Sequence, residues 1–290
     1  MTIMPPFLVR QRGFTLIEMI VVIVVTSILA TTMVLFIRSP VKNYVDSAAR
    51  ADMVDVADTA MRRMSREIHQ ALPNSMRSDG STMLEFIPST AGGRYLSVED
   101  NDTDPSNPPP LSFTDSTKLQ FYVIGTMPSG SNAITASVTN PQYVVVYNLG
   151  TGYVGADAYQ PSDNRALISG VVGNTISMSS NPFVRSPPNT SPTQRFNVVN
   201  QPVMYVCVPS ANGSGTLKRY WNYGFNAALQ MPSGGSSALL AANVVSCVFD
   251  TSNLANVHSG LITLGITLRT PNSSDPDIQL FNQIHVDNTP

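Results

Sequence analysis

The stretch Gly13-Phe14-Thr15-Leu16-Ile17-Glu18-Met19 opens a run, FTLIEMIVVIVVTSILATTMVLFI (residues 14–37), in which Glu18 is the only charged residue. A helix of that length rises ~36 Å, enough to cross the hydrocarbon core of a bilayer. The apolar part of a cleaved secretory signal is shorter and is cut on its far side. Flanking charge does not orient the span, because Arg10 and Arg12 precede it while Arg38 and Lys42 follow. Glu18 is the anomaly. A carboxylate inside a membrane helix is penalised by a few kcal/mol near the centre and less near an end. It therefore either snorkels to the interface or meets a partner.

C-terminal to this run, Pro40 predicts a kink or local unwinding. A second helical stretch is expected over residues 41–72. There Val41, Tyr44, Val45, Ala48, Met53, Val56, Ala57, Ala60, Met64, Ile68 and Leu72 recur at spacings of three and four. Asp52, Asp55, Asp58, Arg62, Arg63, Arg66 and Glu67 fill the other face, acidic before basic, an order that suits the helix macrodipole. Pro73-Asn74 is expected to end the helix.

From about residue 83 the periodicity changes to short β-branched and aromatic runs between turn-rich stretches. Strands are expected over 83–87, 119–124, 142–147, 195–199, 203–208, 217–222, 244–249, 261–268 and 278–286. The long loops near 99–118 and 178–194, rich in Pro, Asn and Ser, are expected to be the least ordered parts. The fold class is therefore α+β: one long N-terminal helix, then an antiparallel β-rich head packed on its second half. The implied divisions are 1–13, 14–37, 38–73 and 74–290.

Charge is distributed to match. Residues 38–72 hold six basic and five acidic side chains, whereas the 218 residues that follow hold only 22 charges. A net charge of −2 excludes a strong field for nucleic acid or an acidic substrate. The polar, weakly charged head suits an extracytoplasmic domain. Its two cysteines, Cys207 and Cys247, are best read there as one disulfide, with two buried free thiols as the alternative. On the alternating pattern Val203, Tyr205 and Cys207 share one strand face, and Val245, Cys247 and Phe249 another.

Chemical motifs are weak. His69, His258 and His285 show no paired-ligand spacing and no nucleophile elbow accompanies them, so no catalytic residue or cofactor is assigned. Gly150, Gly152 and Gly155 fit GxGxxG, but Pro161 follows where a helix is required, which leaves a glycine-rich loop. Asp100, Asp102 and Asp104 begin like a calcium loop, yet Pro105 and Leu111 stand where glycine and a bidentate glutamate belong. A solvated acidic turn is the alternative. Tyr220, Trp221, Tyr223 and Phe225 offer either a glycan- or partner-binding surface or core and turn packing.

Arg10, Arg12 and the Gly13–Met19 string together resemble the processing signature of type IV prepilins and type II secretion pseudopilins. The resemblance implies cleavage after Gly13 by a prepilin peptidase and methylation of the new N-terminus at Phe14. It also implies that the Glu18 carboxylate pairs with the first-residue amine of a neighbouring pilin. The implied partners are the inner membrane and other major and minor pilins, with no nucleic acid. Further segments resemble MshO-type minor pilins of mannose-sensitive haemagglutinin pili: YVD (44–46), AMRRMSREI (60–68), QALPNS (70–75), PVMYVC (202–207), SALLA (237–241), SCVFD (246–250) and HVDN (285–288). That likeness implies a low-abundance subunit near a filament tip, related to the J-type pseudopilin. A J-type secretion pseudopilin, a tip adhesin and a membrane-tethered exported enzyme are the competing readings.

Overall fold

The computed structural model describes residues 13–98, 107–253, 259–270, 276–287 and 289. A single helix, α1 (Leu16–Ile68), leads into an antiparallel β-rich head, and the chain forms two compact units, Met1–Ala51 and Asp52–Pro290.

In the first unit the helix is apolar and exposed. An 18-residue window reaches a mean hydropathy of 2.8 with none of it buried, so it is long and apolar enough to cross a membrane. Its hydroxyls suit that setting. Thr26, Ser27 and Thr31 donate to the carbonyls of Val22, Ile23 and Ser27 at 2.7, 2.6 and 2.8 Å, which removes donors that lipid could not satisfy. The local unwinding expected at Pro40 does not occur, and the residues on both sides of it remain helical. Proline removes one amide donor, the one that would reach the Phe36 carbonyl, and a helix of this length tolerates that single loss. Val41, Tyr44 and Val45, expected on the buried stripe, are exposed and extend the apolar surface.

In the second unit the stripe becomes real. Ala57, Ala60, Met61, Met64 and Ile68 are buried at helical spacing against a sheet. Full burial of each of the three larger side chains contributes roughly 1.5–3 kcal/mol. The helix stops at Ile68, four residues before the expected end at Leu72. The Leu72 amide donates to the Ile87 carbonyl at 2.7 Å and the Gln70 carbonyl accepts from Ser89 at 2.7 Å. Pairing with the chain near residues 87–89 thus replaces the last helical turn, and Pro73 disfavours helix at Leu72.

The sheet has seven antiparallel strands: β1 (Arg77–Ser78), β2 (Met83–Phe86), β9 (Val203–Val208), β10 (Gly215–Trp221), β11 (Ser236–Asn253), β12 (Ser259–Leu268) and β13 (Ile278–Asp287), neighbours in that order. Strand β11 is long because its first half pairs with β10 and its second with β12. A register shift between Val244 and Ser246 lets Val244, in place of the expected Val245, turn into the core.

Between β2 and β9 the chain inserts a closed antiparallel barrel, which the strand pattern did not foretell. Its strands are β3 (Ser89–Tyr95), β4 (Gln120–Ile124), β5 (Tyr143–Val145), β6 (Arg165–Val172), β7 (Thr175–Met178) and β8 (Arg195–Val199), closed in the order β3-β4-β7-β6-β5-β8. Strands β6 and β7 join through Gly173-Asn174. Gly173 has φ +57°, as the first central position of a type II′ turn requires. Of the loops expected to be least ordered, residues 99–106 lie outside the described residues, whereas 107–118 and 178–194 help to fill this barrel: Leu111, Phe113 and Phe183 are buried in its core. The Asn181 amide stitches them together by donating to the carbonyls of Ser112, Asp115 and Lys118 at 2.9, 3.2 and 3.1 Å.

A polar clamp locks helix to sheet. One Glu67 carboxylate oxygen accepts from the Tyr205 hydroxyl and Arg219 Nε, both at 2.7 Å, and the other accepts from Arg63 Nε at 3.2 Å. Burial alone would raise this carboxyl, but the bonds from Arg219, Tyr205 and Arg63 outweigh it and hold it below its usual value of 4.5. A depressed folded value contributes stability above the unfolded value, lost as pH falls through the folded one. Glu67→Gln is therefore expected to remove about 1–3 kcal/mol near neutral pH and to flatten the acid side of the stability profile below about 4.5. Urea midpoints across pH 3–7 test this, and parallel profiles for the two proteins would contradict it.

Candidate functional site

The residues singled out at the N-terminus lie together. Gly13, Phe14 and Thr15 precede the helix, and Leu16 begins it. Thr15 caps that start: the Glu18 amide donates to Thr15 Oγ1 at 3.3 Å and to the Thr15 carbonyl at 3.1 Å. Thr15-x-x-Glu18 is the spacing of a capping box, a signal in plain view that the sequence reading passed over. The cap places Glu18 in the first turn, where its negative charge complements the positive end of the macrodipole.

The Gly13–Phe14 bond sits outside that first turn. A side chain added at Gly13 would meet nothing within 4 Å, and Phe14 is 79% exposed. Among the described residues nothing covers the bond, which lies next to the capped start of the helix. Glu18 is also exposed, so within this single chain its carboxylate faces outward. Cutting at this bond would place an ammonium at the positive end of a helix dipole, where it is disfavoured unless a carboxylate answers it.

The remaining candidates sort differently. Cys207 and Cys247 are joined by a disulfide, both buried in the core beneath α1. Asp100, Asp102 and Asp104 lie outside the described residues, as does His258. His69 is exposed beyond the end of α1, and His285 is exposed on β13. Among the described residues, no group of three His, Cys, Asp or Glu side chains is placed to hold a metal ion. The GxGxxG segment is a series of turns. Gly150, Gly152 and Gly155 all have positive φ, and a Cβ at Gly150 would lie 2.6 Å from the Asn74 carbonyl oxygen. Asp163 anchors the segment by accepting from the Gly155 amide at 2.8 Å and pairing with Arg185.

The aromatic run is engaged internally. The Tyr223 hydroxyl donates to Glu85 at 2.7 Å. Phe225 meets Tyr143 edge-on at 5.1 Å and carries the Arg165 guanidinium 3.4 Å above its ring. Trp221 packs against the core below α1, with the Arg219 guanidinium 4.9 Å from its centroid.

A buried ion pair went unread in the sequence. The Glu85 side chain is fully buried on β2, accepts from Arg77 Nε at 2.5 Å and from the Tyr223 hydroxyl, and is raised above its ordinary value chiefly by burial. Arg77 also donates to the Ala227 and Asn226 carbonyls at 2.7 Å and lies 3.6 Å over the Tyr159 ring. This cluster ties the start of the sheet to the 223–228 loop and the barrel side. It is structural in character, with every group already partnered.

Among the described residues the N-terminal unit combines an uncovered Gly–Phe bond, a capped helix start with an exposed carboxylate, and an apolar helix without a covering partner. Residues 8–34 match the family model of the prokaryotic N-terminal methylation motif. The N-terminus carries that motif. It supports a type IV pilin- or pseudopilin-like subunit, structural in role, that is processed by a prepilin peptidase and anchored in a membrane. The match reaches only the first part of α1 and leaves the rest of the helix and the whole head outside it. Comparison with curated proteins and with solved structures finds no match.

Proposed function

We propose that the chain is a minor-pilin subunit that helps to initiate or assemble a type IV filament of the mannose-sensitive haemagglutinin kind, near its tip. The leader 1–13 is removed after Gly13, Phe14 is N-methylated, residues 14–37 hold the precursor in the inner membrane, and the head from residue 74 faces the periplasm and later the cell surface. The coincidence of an unshielded Gly13–Phe14 bond, a capped Glu18 and an exposed apolar helix carries this reading. The minor-pilin and tip assignments rest on the resemblance of residues 60–75 and of the strands around Cys207 and Cys247. A J-type secretion pseudopilin shares all of these features. A glycan-binding tip is less favoured, since Tyr223 and Phe225 are occupied by internal contacts.

Mass spectrometry of the filament-associated chain should find an N-methylated Phe14 terminus. Glu18→Ala should be cleaved and folded as before but recovered in sheared filaments at least roughly tenfold less, because an ammonium left unpaired in an apolar setting costs several kcal/mol. Normal recovery would sink the assembly role. Crosslinked neighbours drawn from a secretion system would move the chain to the pseudopilin reading.

A further inference from the structure

The last strand of the sheet has an open side. Strand β13 pairs with β12 at all ten positions from Ile278↔Leu268 to Asp287↔Ser259, and among the described residues no strand pairs with its other edge. About half of its backbone amides and carbonyls therefore point outward. Between Ile278 and Val286 there is no Lys, Arg, Asp, Glu or Pro, so the charges and prolines that often blunt an edge strand are missing. Outward-facing Gln279, Phe281, Gln283 and His285 are all exposed, Phe281 at 64%.

Beside this edge runs α1. Two grooves, of about 470 and 320 Å3, lie between residues 58–70, at and just beyond the end of α1, and strand residues 280–282. Arg62 and Arg66 line the helix wall, and His69 lies just beyond its end. Among the described residues that line the grooves the one carboxylate, Asp58, is engaged by Arg62 at 2.6 Å, and Arg66 makes no ion pair.

We propose that this edge and groove seat an extended, acidic segment of a different filament subunit, added to the sheet as an eighth strand beside β13. Backbone pairing with β13 supplies an affinity that depends little on sequence. Arg66, which makes no ion pair among the described residues, selects for carboxylates as charge complementarity at a rim does, while Arg62 is shared with Asp58. A second copy of this chain is a poor occupant. Two-fold pairing of β13 with itself would bring two Arg62/Arg66 rims together, and β13 carries a single acid, Asp287, at its end. The choice of a filament subunit rests on the pilin-like reading; the groove and its charge do not.

The test uses the full-length chain in filament-forming cells with a photoreactive residue at position 283, and with the same residue at exposed Val154 on the barrel side as the control. Mass spectrometry should identify a crosslinked peptide from another subunit that carries two or more carboxylates. R62E/R66E should lower the yield about tenfold, and Gln279→Lys should lower it without touching the helix. An intact Cys207–Cys247 disulfide and an unchanged melting temperature establish that each variant is folded. Crosslinks to this chain itself, to a peptide without carboxylates, or at the Val154 level overturn the proposal, as does a yield indifferent to charge reversal. The N-terminal peptide from the same sample keeps the two readings apart. An uncleaved Gly13 counts against the pilin-like function, whereas a cleaved chain without the crosslink counts against this surface alone.

Discussion

Arg77→Met is expected to destabilise the head by about 3–5 kcal/mol, the usual consequence of removing one member of a buried ion pair. The Glu85 side chain is fully buried and the Arg77 side chain only 10% exposed, so water cannot replace the lost partner. Burial already raises the Glu85 carboxyl, and Arg77 opposes the rise together with the Tyr223 hydroxyl. Without Arg77 the folded value climbs further. Stability tied to a raised carboxyl is fully present below the unfolded value and is lost as pH rises through the folded one. The defect should therefore be largest near neutral pH and shrink toward pH 4.5. Glu85→Gln added to Arg77→Met should recover part of the loss, since a neutral amide still accepts from Tyr223 and leaves no charge stranded. Urea unfolding of the full chain, followed through its only tryptophan, Trp221, reads all of this. A loss below about 1 kcal/mol, or no recovery in the double variant, would show that the pair is not the mainstay described.

That pair also marks where reading the sequence stopped. The N-terminal motif was legible because its signals are local: a Gly–Phe step, an acid and an apolar run within a few turns of one helix. Strands β8 and β9 appear at their expected bounds because β-branched and aromatic runs identify them. Strand β3, Ser-Thr-Ala-Gly-Gly-Arg-Tyr, carries no such signal. It is a strand because β8 pairs with it, and because Gly93 leaves room for the Phe196 ring, which a Cβ would meet at 3.0 Å. Glu85 was invisible for a related reason. Strand β2 is buried on both faces, Leu84, Glu85 and Phe86 alike, so alternation could not mark the acid as inward. The barrel followed suit, since closure depends on pairings between residues up to about a hundred positions apart. Pairings of that span leave no periodicity in the chain.

Loss of the disulfide should be of similar size to loss of the ion pair, for a different reason. Cys207 on β9 and Cys247 on β11 are 40 residues apart, and closing a loop of that length restricts the unfolded chain by about 4 kcal/mol on the chain-entropy estimate. The strands they join are not neighbours, because β10 lies between them in the sheet order. The bond therefore fastens the far half of β11 to β9 where no ladder of backbone hydrogen bonds does so. Both sulfurs lie in the core that receives Met64 and Ile68, so the link fixes the surface on which α1 rests. Cys207→Ala/Cys247→Ala is expected to lower unfolding free energy by about 4 kcal/mol and to make the protein indifferent to dithiothreitol, while the unaltered chain should lose a similar amount on reduction. Each single substitution should lose as much as the pair, since either one breaks the link. If the double variant unfolded within about 1 kcal/mol of the parent, the ladder through β10 and the helix contacts would already hold the two halves together. The bond would then serve some purpose other than equilibrium stability. A loss near the full value would instead make an oxidising compartment a condition of a folded head, which is what the proposed periplasmic placement of that head expects.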